Sequence, residues 1–136
     1  MNAAADTHPL AGRRAVVVDD DPSLLEALSS VLKEAGCAVT AFDRFQDAKQ
    51  YLATKEPPDI LITDVRLGAF NGLQLALKSK LEHPSLVAVV MTGFDDPVLR
   101  RDAEMSGAHY LLKPVRPDAL IRLLSHPAVP AAHSER

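Results

Sequence analysis

Five short runs of β-branched and aliphatic residues recur along the chain, and a longer segment with helical spacing follows each one. The runs are Ala15–Val18, Ala38–Phe42, Ile60–Thr63, Leu86–Val90 and Tyr110–Leu112. Three of them are apolar on consecutive positions, the pattern of strands covered on both faces. The segments between them carry start and stop signals. Asp21 is placed to cap a helix with Pro22 in its first turn, Leu24, Leu28, Val31 and Ala35 on one face, and Gly36 as its stop. A second helix over Phe45–Thr54 sets Phe45, Ala48 and Leu52 on one side and ends before Pro57-Pro58. A third opens near Asn71-Gly72 and carries Leu73, Leu77 and Leu81 up to Pro84. The fourth starts at Asp96-Pro97, points Val98, Leu99 and Met105 inward and stops at Gly107. A short fifth runs from Pro117 through Leu120, Ile121 and Leu124 until Pro127. Five-fold alternation predicts an α/β domain with an open, doubly wound, five-stranded parallel sheet and helices on both faces, because parallel strands need right-handed crossovers. The chain has 136 residues, the size of one domain. The predicted organisation is a flexible arm over residues 1–12, a folded domain over 13–125 and a short tail over 126–136.

Charge and cysteine content exclude several classes. With 15 Lys and Arg against 18 Asp and Glu the net charge is -3, so no global field favours nucleic acid or an anionic membrane. No helix-turn-helix or basic stripe stands out, and the residues after Pro127 are too few for a DNA-binding output domain. Cys37 is the single cysteine, which excludes an internal disulfide and a multi-cysteine metal site. It reads as a small half-buried apolar residue at a turn. His8, His83, His109, His126 and His133 show no ligand spacing. The longest uncharged apolar run, Ser85–Phe94, is too short to span a bilayer, and the start lacks a secretory pattern. A reducing cytoplasm is the simplest expected location.

In open parallel sheets ligands bind beyond the carboxyl ends of the strands. There the first run ends in Asp19, Asp20 and Asp21, the third in Asp64, the fourth in Thr92, and the fifth in Lys113-Pro114. Crowded carboxylates repel and raise one another's pKa unless a cation neutralises them. A hard divalent ion such as Mg2+ takes oxygen ligands and one or two carboxylates. An ion, a lysine and a hydroxyl are also the groups that can hold the three oxygens of a transferring phosphoryl group, with a carboxylate as nucleophile. Spacing alone leaves open which carboxylate acts. Asp21 reads as the helix cap.

The strings Val16-Val17-Val18-Asp19-Asp20-Asp21-Pro22, Thr63-Asp64-Val65-Arg66-Leu67, Met91-Thr92-Gly93 and Tyr110-Leu111-Leu112-Lys113-Pro114 together resemble the receiver domain of two-component response regulators. The resemblance covers about Arg13 to Leu124 and implies a flavodoxin-like (βα)5 fold. It implies that Asp64 is the phospho-acceptor, that Asp20 is the main carboxylate on Mg2+ (or Mn2+) with Asp19 beside it, and that the backbone carbonyl of Arg66 completes the metal shell with Asp64. It implies that Lys113 pairs with the phosphoryl group, across a cis Lys113-Pro114 bond. Thr92 would swing toward the bound phosphoryl group and Tyr110 turn inward into the vacated space, remodelling the face of the fourth helix and fifth strand. Implied partners are a sensor histidine kinase or histidine phosphotransfer protein and a downstream protein target, without direct nucleic-acid or membrane contact; homodimerisation on phosphorylation stays open. Two stretches depart from the family pattern. Gly68-Ala69-Phe70-Asn71-Gly72 replaces a proline-containing turn and suggests a more flexible loop. Phe94 is bulky where relatives are small or polar, so with Arg66 it would shield the phosphoryl group and slow its loss.

Three other functions fit less well. A phosphohydrolase of the haloacid dehalogenase type needs an aspartate two residues past the nucleophile, where this chain has Arg66. A phosphorylation-independent interaction module would be favoured by a missing acidic or lysine position, and none is missing. A dinucleotide-binding fold needs a Gly-rich turn after the first strand, where Asp19-Asp20-Asp21 stand instead. The expectation is therefore a phospho-acceptor switch rather than an enzyme.

Overall fold

The computed structural model describes residues 8–67 and 70–126. Strands β1 (Arg14–Val18), β2 (Ala38–Phe42), β3 (Ile60–Asp64), β4 (Val87–Thr92) and β5 (His109–Leu112) form one sheet in the order β2-β1-β3-β4-β5. All four pairings are parallel. Helices α1 (Pro22–Glu34), α2 (Phe45–Thr54), α3 (Gly72–Glu82) and α4 (Pro97–Met105) connect successive strands, and α5 (Pro117–Ser125) follows β5. This is the doubly wound α/β fold that the alternation predicts.

Strand periodicity decides which helix covers which face. Successive side chains of a strand point to opposite sides. In β1, Val16 and Val18 join Leu61, Ala88 and Val90 under α2, α3 and α4. Ala15 and Val17 join Ile60, Ile62, Val89 and Met91 under α1 and α5, whose Leu28, Leu32, Leu120 and Leu124 complete that layer. Each buried aliphatic side chain stabilises the fold by about 1.5–3 kcal/mol relative to exposure, so two full layers set the sheet firmly.

The helix starts are tied down by the residues the sequence singles out. Asp21 accepts from the Ser23 and Leu24 amides, Asn71 from Leu73, and Asp96 from Val98 and Leu99. Gly36 and Gly107 end α1 and α4 with φ of 105° and 89°, a region open to glycine and costly for other residues.

Three expectations need correction. Leu10 falls in the stretch read as a flexible arm, yet its side chain is 1% exposed among the α1 and α5 leucines, and its amide donates to Ala35 O at 2.8 Å. A buried leucine and a chain hydrogen bond fasten the stretch from His8 to Gly12; residues 1–7 lie outside the described residues. In α4 the inward residues are Leu99 and Ala103, whereas Val98 and Met105 face solvent at 56% and 76% exposure. Those two stand seven apart and share one face, turned about 100° from Leu99 because each helical residue advances by that angle. Leu81 is 82% exposed. The buried stripe of α3 is Gly72, Leu73, Leu75, Ala76 and Ser79, and Leu81 stands about 140° around the helix from Ala76 at its centre. The tail proposed over 126–136 lies outside the described residues beyond His126.

Candidate functional site

The sheet register brings the polar strand ends together. Asp64 is the last residue of β3, opposite Met91 of β4, and Thr92 ends β4 opposite Leu112 of β5. The Lys113 amide donates to Thr92 O at 2.8 Å, and the Asp19 amide to Phe42 O at 3.1 Å. These backbone bonds extend the ladder one residue past the strands and aim Asp19 and Lys113 across the same edge. The Lys113-Pro114 peptide is cis, as the family resemblance implies.

Lys113 Nζ lies 3.0 Å from Asp19 Oδ2 and 3.2 Å from Asp64 Oδ1. Asp19 is fully buried. Its Oδ1 accepts from the Asp21 amide at 2.8 Å, while its Oδ2 faces the Lys113 ammonium. Asp19, Asp20 and Asp64 each offer a carboxylate oxygen, all within 4.8 Å of one another. One ammonium faces three carboxylates, so the cluster keeps a net negative charge. Burial raises the Asp64 pKa above the usual carboxylate value; the bond and charge of Lys113 oppose that, and the charges of Asp19 and Asp20 add to it. Burial pulls the Lys113 pKa down, but its bonds and charge contacts with Asp19 and Asp64 outweigh this and leave it raised.

A buried carboxylate in an all-oxygen donor set of net negative charge fits a hard divalent cation. Burying a charge without full pairing is costly, and a cation at this edge relieves that cost.

The residues that flank the loop after Asp64 are paired. Arg66 pairs with Asn71 and Leu67 with Phe70 as a short antiparallel ladder, and Val65 donates to Met91 O at 2.8 Å. The expectation of a more flexible loop falls largely on residues 68 and 69, which lie outside the described residues. Gly72 sits so close that a Cβ there would strike the Asp64 carbonyl. Neither the helix start nor the glycine-containing stretch of the sequence assigns Gly72 this close approach. Its position at the end of an Asn-Gly pair next to the Asp64 loop was the available sign of close backbone approach.

Thr92 and Tyr110 both meet the Phe94 backbone. The Thr92 hydroxyl faces the Phe94 backbone, donating to its carbonyl at 3.1 Å and accepting from its amide at 3.2 Å. Tyr110 is already inward at 8% exposure, and its hydroxyl accepts from the Asp96 amide at 2.9 Å. The two positions are thus not exclusive: Tyr110 fills its inner place while Thr92 is engaged elsewhere. Phe94 is 79% exposed at the rim of this edge.

The fold and the site define a class: a doubly wound α/β domain with a carboxylate–ammonium cluster at the carboxyl edge of its sheet. The model of the response regulator receiver domain matches residues 15–125, and the chain belongs to that family of two-component signalling domains. It is 36% identical over 109 residues to the DNA-binding transcriptional regulator NtrC of Escherichia coli (strain K12), a match covering 79% of this chain and 23% of that protein. The chain thus spans about a quarter of such relatives. Among solved structures it superposes with a TM-score of 0.77 on a CheY-like receiver domain from Methanospirillum hungatei JF-1, at 22% identity, covering 85% of this chain and 92% of the other. A response regulator protein from Burkholderia pseudomallei, described with a phosphorylated aspartic acid, calcium ion and citrate, matches with a TM-score of 0.73 at 23% identity, covering 90% and 69%. No helix among the described residues is long and apolar enough to cross a membrane.

Proposed function

We propose that this receiver domain takes a phosphoryl group onto Asp64 from a sensor histidine kinase or a histidine phosphotransfer protein, in the cytoplasm. It passes the signal to a downstream protein target by protein contact. In this role the chain assists its own phosphorylation and dephosphorylation and turns over no separate substrate. The observation that carries the reading is the placement of Lys113 Nζ between Asp19 and Asp64, at 3.0 and 3.2 Å, in a cluster of three carboxylates whose oxygens lie within 4.8 Å of one another.

Asp19, Asp20 and Asp64, with the Arg66 backbone carbonyl, are the groups that would hold Mg2+ or Mn2+. When bound, such an ion supplies positive charge against the crowded carboxylates and the phosphoryl oxygens. An Asp64 carboxylate oxygen forms the new bond to phosphorus as the bond to the donor's nitrogen or oxygen breaks. Lys113, already beside Asp64, offers its ammonium to one phosphoryl oxygen. Thr92 leaves the Phe94 backbone and offers its hydroxyl to another. That exchange alters the β4–α4 loop, where Tyr110 is bonded, and supports a role for Thr92 and Tyr110 in the switch. The phosphorylated aspartate of the Burkholderia protein is in keeping with this chemistry.

Intact mass after incubation with acetyl phosphate, with and without Mg2+ and beside Asp64→Asn, tests the reading. The expected result is a Mg2+-dependent gain of one phosphoryl group that Asp64→Asn abolishes. A chain that gains none and also fails to bind beryllofluoride with Mg2+ would overturn it.

A further inference from the structure

Tyr110 is gripped from outside by a side chain that phosphoryl transfer itself does not require. The Arg100 guanidinium lies over the Tyr110 ring, with Cζ 4.6 Å from the ring centroid, and donates to Asp95 Oδ1 at 2.8 Å. Arg100 belongs to the first turns of α4, and Asp95 to the loop leading into it. The same loop holds the Tyr110 hydroxyl, which accepts from the Asp96 amide and donates to the Phe94 carbonyl at 3.3 Å. Arg100 thus touches the ring on one side and the loop on the other.

The Phe94 carbonyl links this grip to the phosphorylation site. It accepts from the Thr92 hydroxyl at 3.1 Å and also from the Tyr110 hydroxyl. When Thr92 turns toward a phosphoryl group, this carbonyl loses one of its two donors, at a cost in free energy. Tyr110 in its inner position keeps the second donor there. Whatever holds Tyr110 in therefore makes the release of Thr92 easier.

We infer that Arg100, tied to Asp95, is a positioning residue for the phosphoryl switch: by holding Tyr110 inward it favours the turn of Thr92 toward Asp64. The inference rests on the reading of Asp64 as acceptor and of Thr92 as a phosphoryl partner. Arg100 and Asp95 are each about half exposed, and their contacts are of the modest kind. The coupling should be correspondingly small, about 3- to 10-fold in affinity for a phosphoryl mimic.

The chain has two tyrosines and no tryptophan. Tyr51 packs on Phe42, ring centroids 5.2 Å apart, away from α4, and serves as an internal control. Ring-labelled tyrosine can be followed by NMR in metal-free protein and during titration with beryllofluoride and Mg2+. Arg100→Ala should move the Tyr110 signals, leave those of Tyr51 in place, and raise the half-saturating beryllofluoride concentration about 3- to 10-fold. Asp95→Asn should act in the same direction, and Arg100→Lys, which keeps the cation, should restore most of the affinity. An unmoved Tyr110 signal in Arg100→Ala, or a moved signal with unchanged affinity, would overturn the inference. If the unaltered protein takes up no beryllofluoride, the acceptor reading fails and the coupling with it. The metal-free spectra would still decide whether Arg100 holds the ring.

Discussion

Removing the Asp64 charge should make the metal-free fold more stable. In the cluster Asp64 is attracted by Lys113 at 3.2 Å and repelled by two carboxylates, with all three carboxylate oxygens within 4.8 Å. At an effective dielectric of about 20, the attraction is worth about 5 kcal/mol and each repulsion about 3.5 kcal/mol or more. The two repulsions together exceed the attraction by about 2 kcal/mol, and burial of the carboxylate adds to the imbalance. The raised pKa of Asp64 carries the same sign: burial and its acidic neighbours outweigh Lys113. A carboxyl whose folded pKa is raised costs stability above that pKa and recovers it as the pH falls through it. Asp64→Asn should therefore raise stability at pH 7 in EDTA by about 1–2 kcal/mol, several degrees in Tm for a domain of this size. The gain should shrink as the pH is lowered through the raised Asp64 pKa. Addition of Mg2+ should stabilise the unaltered protein by about 1.4 kcal/mol at ten times its Kd, and Asp64→Asn by less. Thermal melts by circular dichroism in EDTA and in Mg2+ measure all three. If Asp64→Asn melts below the unaltered protein in EDTA, the pairing with Lys113 dominates and the argument from crowded carboxylates is wrong.

The other predictions concern packing and the rim of the site. Leu10→Ala should cost about 2–4 kcal/mol in urea unfolding, because it empties a filled position in the α1–α5 layer; a loss under 0.5 kcal/mol would show that residues 8–12 are a free arm after all. Gly72→Ala should both destabilise the fold and slow labelling by acetyl phosphate, since its Cβ would push on the Asp64 carbonyl; unchanged labelling would mean that the loop yields at no cost to the acceptor. Phe94→Glu should speed release of inorganic phosphate from the phosphorylated chain by opening and polarising the rim. A phospho-form lifetime of seconds that Phe94→Glu leaves unchanged would contradict the shielding role.

Nearly all of the architecture was legible because each element announces itself locally. Apolar runs without alternation mark strands covered twice, and Asp21-Pro22 and Asp96-Pro97 mark helix starts that the structure reproduces. The site was legible for a related reason: a parallel sheet delivers the ends of its strands to one edge, so Asp19, Asp64, Thr92 and Lys113 had to meet there once the strands were placed. The misjudged residues depend on information no local pattern holds. Leu10 is buried by leucines of α1 and α5, which are remote in sequence, and nothing in the composition of residues 1–12 signals that docking. Val98 and Met105 were read inward because they are apolar, although a nine-residue helix has room for only one narrow stripe, and Leu99 and Ala103 occupy it.

The switch elements show a different kind of limit. Thr92 and Tyr110 were placed correctly along the chain, but the direction of a hydroxyl depends on competition between nearby partners rather than on spacing. Here the Phe94 backbone lies close enough to engage both hydroxyls at once, so one carbonyl receives bonds from both side chains. Arg100 escaped notice because an arginine on an exposed helix turn is ordinarily a solvated charge. Its meaning arises only once β5 sets an aromatic ring beneath it and the β4–α4 loop offers Asp95. Thr92 and Tyr110 could thus be singled out one position at a time, whereas the contacts that join them to Arg100 exist only in the packed loop. It is that loop, with contacts of modest strength, that is suited to change state at small energetic cost.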